Sequence, residues 1–165
     1  YGDHRDLHSL PARRSSDLYP LADSAMIRKM EGAEITLERL EYVRRAMKHG
    51  ALHNQVFTAF LGTSSREDFI VYLADFFLQL EDVKWTVVAG VVDDTLIVSV
   101  RNLGYTRNAG EFVRQSFADI GSAGGHRSMA KAVLPLENFR EKFGNLDDAQ
   151  VPQTLHQLMN TFLKD

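Results

Sequence analysis

Between residues 121 and 127 the chain reads Gly121-Ser122-Ala123-Gly124-Gly125-His126-Arg127, and Ser128-Met129-Ala130 follow directly. Three glycines in five positions let a backbone take positive φ and come close to a ligand. Successive N–H groups in such a turn form a concave nest for anionic oxygens. His126 and Arg127 stand at its rim, and an arginine fork can grip a phosphate through two bonds. Spacing alone leaves two readings open. One is a phosphate cradle; the other is a tight turn between a helix and a strand, with His126 and Arg127 solvated.

The other polar candidates have simpler readings. Asp93-Asp94 lies between two β-rich runs and suits a hairpin turn. His49 closes a helix and complements its dipole, His53 sits at the mouth of a strand, and His156 is expected on a surface. Asp3-His4 and His8 belong to a segment with no scaffold to hold a metal. The chain has no cysteine, hence no disulfide framework, thiolate metal site or cysteine nucleophile. That absence suits a reducing, cytoplasmic setting. No catalytic residue and no metal ligand set is assigned within the chain.

At 165 residues the chain has the length of about one domain and enough bulk for a real core. A net charge of −3 argues against broad electrostatic wrapping of nucleic acid, while leaving a local basic site open. No apolar run approaches the roughly 18 residues that span a bilayer, so no membrane partner is expected.

Several elements must position the glycine motif. Residues 1–18 show no amphipathic period and read as a disordered tail; residues 8–18 also look like a translated sequencing adapter joined to a truncated reading frame. Residues 20–31 suit a short helix. A second helix is expected over 36–48, with Thr36 as its cap and Leu37, Leu40, Val43 and Met47 on one face. Residues 54–61 read as a buried strand. Ser64 or Ser65 caps the clearest helix, which runs to about Leu80 with Phe69, Leu73, Phe76, Phe77 and Leu80 as its stripe. Residues 83–92 and 95–100 form a hairpin, and Arg101 ends the returning strand. A helix over 109–120 leads into the glycine motif, a strand follows over 128–134, then helices over 137–143 and 153–164. The order α-α-β-α-β-β-α-β-α-α makes an α/β domain, a small mixed sheet flanked by helices.

The runs Val98-Ser99-Val100-Arg101, Asn108-Ala109-Gly110-Glu111, Gly121 to His126 and Met129-Ala130 resemble the C-terminal substrate-binding domain of DHH-family phosphoesterases. The family includes nanoRNA exonucleases (nanoRNases), pAp phosphatases, cyclic-dinucleotide phosphodiesterases and single-strand exonucleases. Gly124-Gly125-His126 matches the family's GGGH-type signature, with Ala123 in place of the first glycine. The family's Asp-His-His metal motif has no match here, and Lys131 stands where many relatives carry glycine.

The resemblance implies a division of labour. Residues 50–165 would be the substrate-binding domain, and 19–49 a helical hinge toward a missing N-terminal catalytic domain. That domain would hold divalent metal, manganese in most relatives, so this fragment would bind no cofactor and catalyse nothing alone. The Gly124 and Gly125 N–H groups would take phosphate oxygens, with His126 and Arg101 adding charge-assisted bonds and Arg127 a second clamp; Asn108 and Ser122 complete the set. The partner would be a short RNA or DNA oligonucleotide, pAp, a cyclic dinucleotide or another small phosphorylated nucleotide, and homodimerisation stays open. A nucleotide-sensing module without hydrolysis is the alternative.

Overall fold

The computed structural model describes residues 36–104 and 107–164; the expected tail and first helix lie outside them. Leu37–Asp165 forms one compact unit. Its elements are α1 (Leu37–His49), β1 (Ala51–His53), β2 (Val56–Thr63), α2 (Glu67–Phe77), β3 (Trp85–Val92), β4 (Thr95–Asn102), α3 (Ala109–Phe117), β5 (Ser122–Gly125), β6 (Met129–Pro135), α4 (Leu136–Phe143) and α5 (Gln150–Lys164). The strands form a six-stranded mixed sheet in the order β1-β2-β3-β4-β6-β5. Only β2 and β3 run parallel; every other neighbouring pair is antiparallel. The α/β class expected from sequence is the class found.

The centre of the sheet follows from composition. β3 is Trp-Thr-Val-Val-Ala-Gly-Val-Val, buried over its first six residues, as a strand covered on both faces must be. On one face Val87, Ala89, Val98, Val100, Ala130 and Ala132 pack with Phe112 and Phe117 of α3, Phe139 of α4 and Leu155 and Met159 of α5. On the other, Phe57, Ala59, Val88 and Ile97 pack with Ala46 of α1 and Ile70, Leu73, Ala74 and Phe77 of α2. This second layer is shorter than the sheet. α1 lies on β2, and α2 on β3 and β4. Beyond β4 the same face carries Lys131 and Met129, both exposed.

Four expectations change. The segment after His49 holds a short extra strand, β1, joined to β2 through Asn54 and Gln55, both at positive φ. α2 begins after Arg66 with no side-chain cap; Ser64 Oγ instead donates to the Arg66 carbonyl at 2.9 Å. α2 also ends at Phe77, leaving Leu80 exposed. Finally, Ser122–Gly125 is not a turn but β5, the edge strand beside β6.

Candidate functional site

A shallow depression of about 220 Å³ opens where the second helical layer stops. Its floor comes from β4, β6 and β5. Ser99 pairs with Lys131, and Lys131 with Gly124, so these three lie in one cross-strand row on one face. Arg101, opposite Met129, is two residues along β4 and therefore points to the same face. Val71 of α2 forms a wall, and Gly125, His126, Met129 and Ala130 complete the lining.

Arg101 is held firmly. Its Nε donates to Asp75 Oδ1 at 2.7 Å, and its Nη1 to Ser99 Oγ at 3.3 Å and the Val100 carbonyl at 3.0 Å. The side chain is only 14% exposed, against 54% for Asp75. These bonds leave Nη2 without a hydrogen-bond partner among the described residues. Lys131 Nζ reaches Glu67 Oε1 at 2.7 Å across the same depression.

The two central glycines differ in kind. At Gly125, φ is +154°, and an added Cβ would lie 2.4 Å from the Ala130 Cα; only glycine fits. At Gly124 an added Cβ would meet nothing within 4 Å, so the space above it is open. The hairpin closes with the His126 N–H donating to the Met129 carbonyl at 2.7 Å. Ladder alternation then turns the Gly124 N–H toward β6 and the Gly125 N–H away from it. The expected nest of successive N–H groups is therefore not formed, because paired strand geometry sends neighbouring amides in opposite directions.

Of the seven residues singled out in sequence, Arg101, Gly124, Gly125 and His126 line the depression. Three do not. Asn108 caps α3, its Oδ1 accepting from the Glu111 N–H at 3.2 Å. Arg127 Nε donates to the Gly104 carbonyl at 2.9 Å. Ser122 sits two residues up the edge, paired with Val133. The α3 N-terminus is closed to ligands as well: the Ala109 and Gly110 N–H groups donate to the Arg127 and His126 carbonyls at 2.9 and 3.0 Å. Buried Asn102 ties the same turn, donating to the Arg107 and Arg127 carbonyls, each at 3.1 Å. Ser99 was missed as a lining residue. The alternation Val98-Ser99-Val100-Arg101, with polar residues two apart, is the signal that puts it beside Arg101.

Among the described residues no group of three or more His, Asp or Glu side chains could hold a metal ion, and no helix is long and apolar enough to cross a membrane.

No protein-family model matches the chain. An uncharacterized protein of Methanocaldococcus jannaschii is 28% identical over 137 residues, 82% of this chain. The chain spans 28% of that relative's length. Among solved structures, an exopolyphosphatase-related protein from Bacteroides fragilis aligns with a TM-score of 0.64 and 12% identity, over 90% of this chain and 42% of that one. Weaker alignments reach the C-Ala domain of Aquifex aeolicus alanyl-tRNA synthetase (TM-score 0.45, 13% identity, 70% of this chain and 95% of that one). A pGpG-specific phosphodiesterase from Vibrio cholerae aligns at TM-score 0.41 and 13% identity, over 64% of this chain and 36% of that one. The small mixed sheet flanked by helices that the DHH resemblance implies is thus the fold found, and it is shared with part of the exopolyphosphatase-related protein.

Proposed function

We propose that this chain is the substrate-binding part of a metal-dependent phosphoesterase of the DHH family. It binds the phosphate groups of short oligonucleotides, pAp or cyclic dinucleotides. One observation carries the reading: Arg101 of β4 and the consecutive Gly124, Gly125 and His126, more than twenty residues further along the chain, line a single open depression with Lys131. Arg101 aims a guanidinium whose Nη2 has no internal partner among the described residues, suited to a charge-assisted bond. Gly124 leaves room for the ligand to lie against the floor, and exposed His126 closes one end.

The bond-breaking step belongs, in this reading, to divalent metal such as manganese held by a preceding domain. The described residues do not fit such a centre. What this chain adds is orientation of the substrate's far end, an effect worth several kcal/mol of barrier in general.

The test is a titration of the chain with pAp and with a short 5′-phosphorylated RNA, followed by amide NMR. Shifts concentrated at Gly124, Gly125, His126 and Arg101, abolished in His126→Ala, are expected. So is an absence of RNA turnover by this chain in manganese. A flat titration of a folded sample would remove the binding role, and turnover would remove the assignment of chemistry to another domain.

A further inference from the structure

Both cations of the depression are already neutralised from the α2 wall. Glu67, Val71 and Asp75 follow at i, i+4 and i+8 and share one face of α2. Glu67 holds Lys131 and Asp75 holds Arg101, each at 2.7 Å. Arg101 and Lys131 are diagonal neighbours across β4 and β6, a placement that sets such side chains about 7–8 Å apart at their bases. A phosphate resting beside Ser99, between Arg101 and Lys131, would meet both cations, and both carboxylates with like charge.

We propose that Glu67 and Asp75 are resident counter-ions that compete with an incoming phosphate for Lys131 and Arg101, making α2 the element that weakens anion binding and sets its selectivity. The inference rests on the phosphate-binding reading above. Both pairs are open to water on their acidic side, the carboxylates being 44% and 54% exposed, so they exchange readily with another anion. Arg101 does not depend on Asp75 for its aim, since Nη1 stays bonded to Ser99 Oγ and the Val100 carbonyl. A terminal phosphomonoester, with a charge near −2 and three acceptor oxygens, replaces two carboxylates better than an internal diester can.

The chain, Glu67→Gln and Asp75→Asn are titrated with pAp at one fixed salt concentration, each checked for folding by thermal melting. Glu141→Gln, on α4 against the opposite face of the sheet, supplies the same change in net charge away from the depression. Exposed ion pairs of this kind translate into a tightening of roughly two- to five-fold in Kd for Glu67→Gln and Asp75→Asn, with Glu141→Gln unchanged. Binding by the wild type that is unchanged or weaker in both site variants overturns the counter-ion role and leaves the phosphate site standing. Equal tightening in Glu141→Gln overturns it too, by reducing the effect to net charge. If no form binds pAp, the site and the counter-ion role fall together. Binding seen only in the site variants supports both.

Discussion

At the scale of single residues, Gly124 and Gly125 separate a backbone requirement from a space requirement. Gly125→Ala would force a side chain into φ +154° and into the Ala130 backbone. Strain of that kind costs on the order of 1–3 kcal/mol, and the expected result is a clear loss of thermal stability. Gly124→Ala meets no atom within 4 Å, so it should leave the melting temperature level or raise it slightly, since alanine restricts the unfolded chain more than glycine. Its methyl group would nonetheless stand over the floor of the depression, and pAp affinity should fall. A Gly124→Ala protein with unchanged melting and unchanged affinity would show that the open space is not used. The sequence marks both glycines as special but does not distinguish them, because the difference lies in Ala130 and in the absence of a neighbour, both set by pairing with β6. The same holds for Asn108 and Arg127. Their types suit anion binding, but local backbone groups engage them first: the Glu111 N–H and the Gly104 carbonyl.

At the scale of elements, the well-buried pieces are legible and the short ones are not. The β3–β4 hairpin follows from two β-rich runs and its Asp93-Asp94 turn, with Asp93 at φ 51°. β1 and β5 have three and four residues, too few for a period to show, and their pairing with β2 and β6 defines them. His156 on α5 shows the same effect. Its ring lies 5.1 Å from that of His53 at the end of β1, and its Nδ1 is buried with no hydrogen-bond partner among the described residues; Nε2 contacts Asn160 Nδ2 at 2.8 Å. A surface position is expected because His156 lies off the Leu155, Leu158, Met159 and Phe162 stripe; the ring is half-buried instead, since no sequence signal joins β1 to α5. Burial first, then the charge of His53, hold the His156 pKa below its ordinary value of 6.5. The unfolded chain therefore takes up this proton at higher pH than the folded one. Stability from this group is complete above about pH 6.5 and declines as the pH falls through that value toward the depressed folded one. His156→Gln is expected to flatten the fall in melting temperature between pH 7.5 and pH 5. An identical slope in wild type and variant would mean that this contact does not carry the effect.

At the scale of the whole molecule, the sheet order joins strands far apart in sequence, with β6 between β4 and β5, and no local pattern specifies it. The helical layers are legible as amphipathic stripes. In α1, Leu37, Leu40, Val43 and Met47 read as one face; in the structure Val43 packs against the core while Leu37, Leu40 and Met47 are 86%, 50% and 68% exposed. The buried residue is Ala46, with Tyr42 and Val43 packed beside it. α1 therefore rests on β2 through small and aromatic residues and turns its larger aliphatic side chains outward. Contiguous exposed apolar surface on a helix is unusual in a soluble domain, and it binds dyes such as ANS. Leu37→Lys combined with Met47→Lys should lower ANS fluorescence markedly. Substitutions at such exposed positions usually change stability by no more than about 0.5 kcal/mol, so the melting temperature should hold. The pAp titration should not move either, because α1 lies over β2 while the depression lies over β4, β6 and β5. If ANS fluorescence is low in the wild type and the double substitution leaves it unchanged, the α1 stripe is covered in solution, and charging it should then lower stability or association rather than dye binding. The two outcomes are separated by running the dye and melting measurements on the same samples across a range of protein concentration.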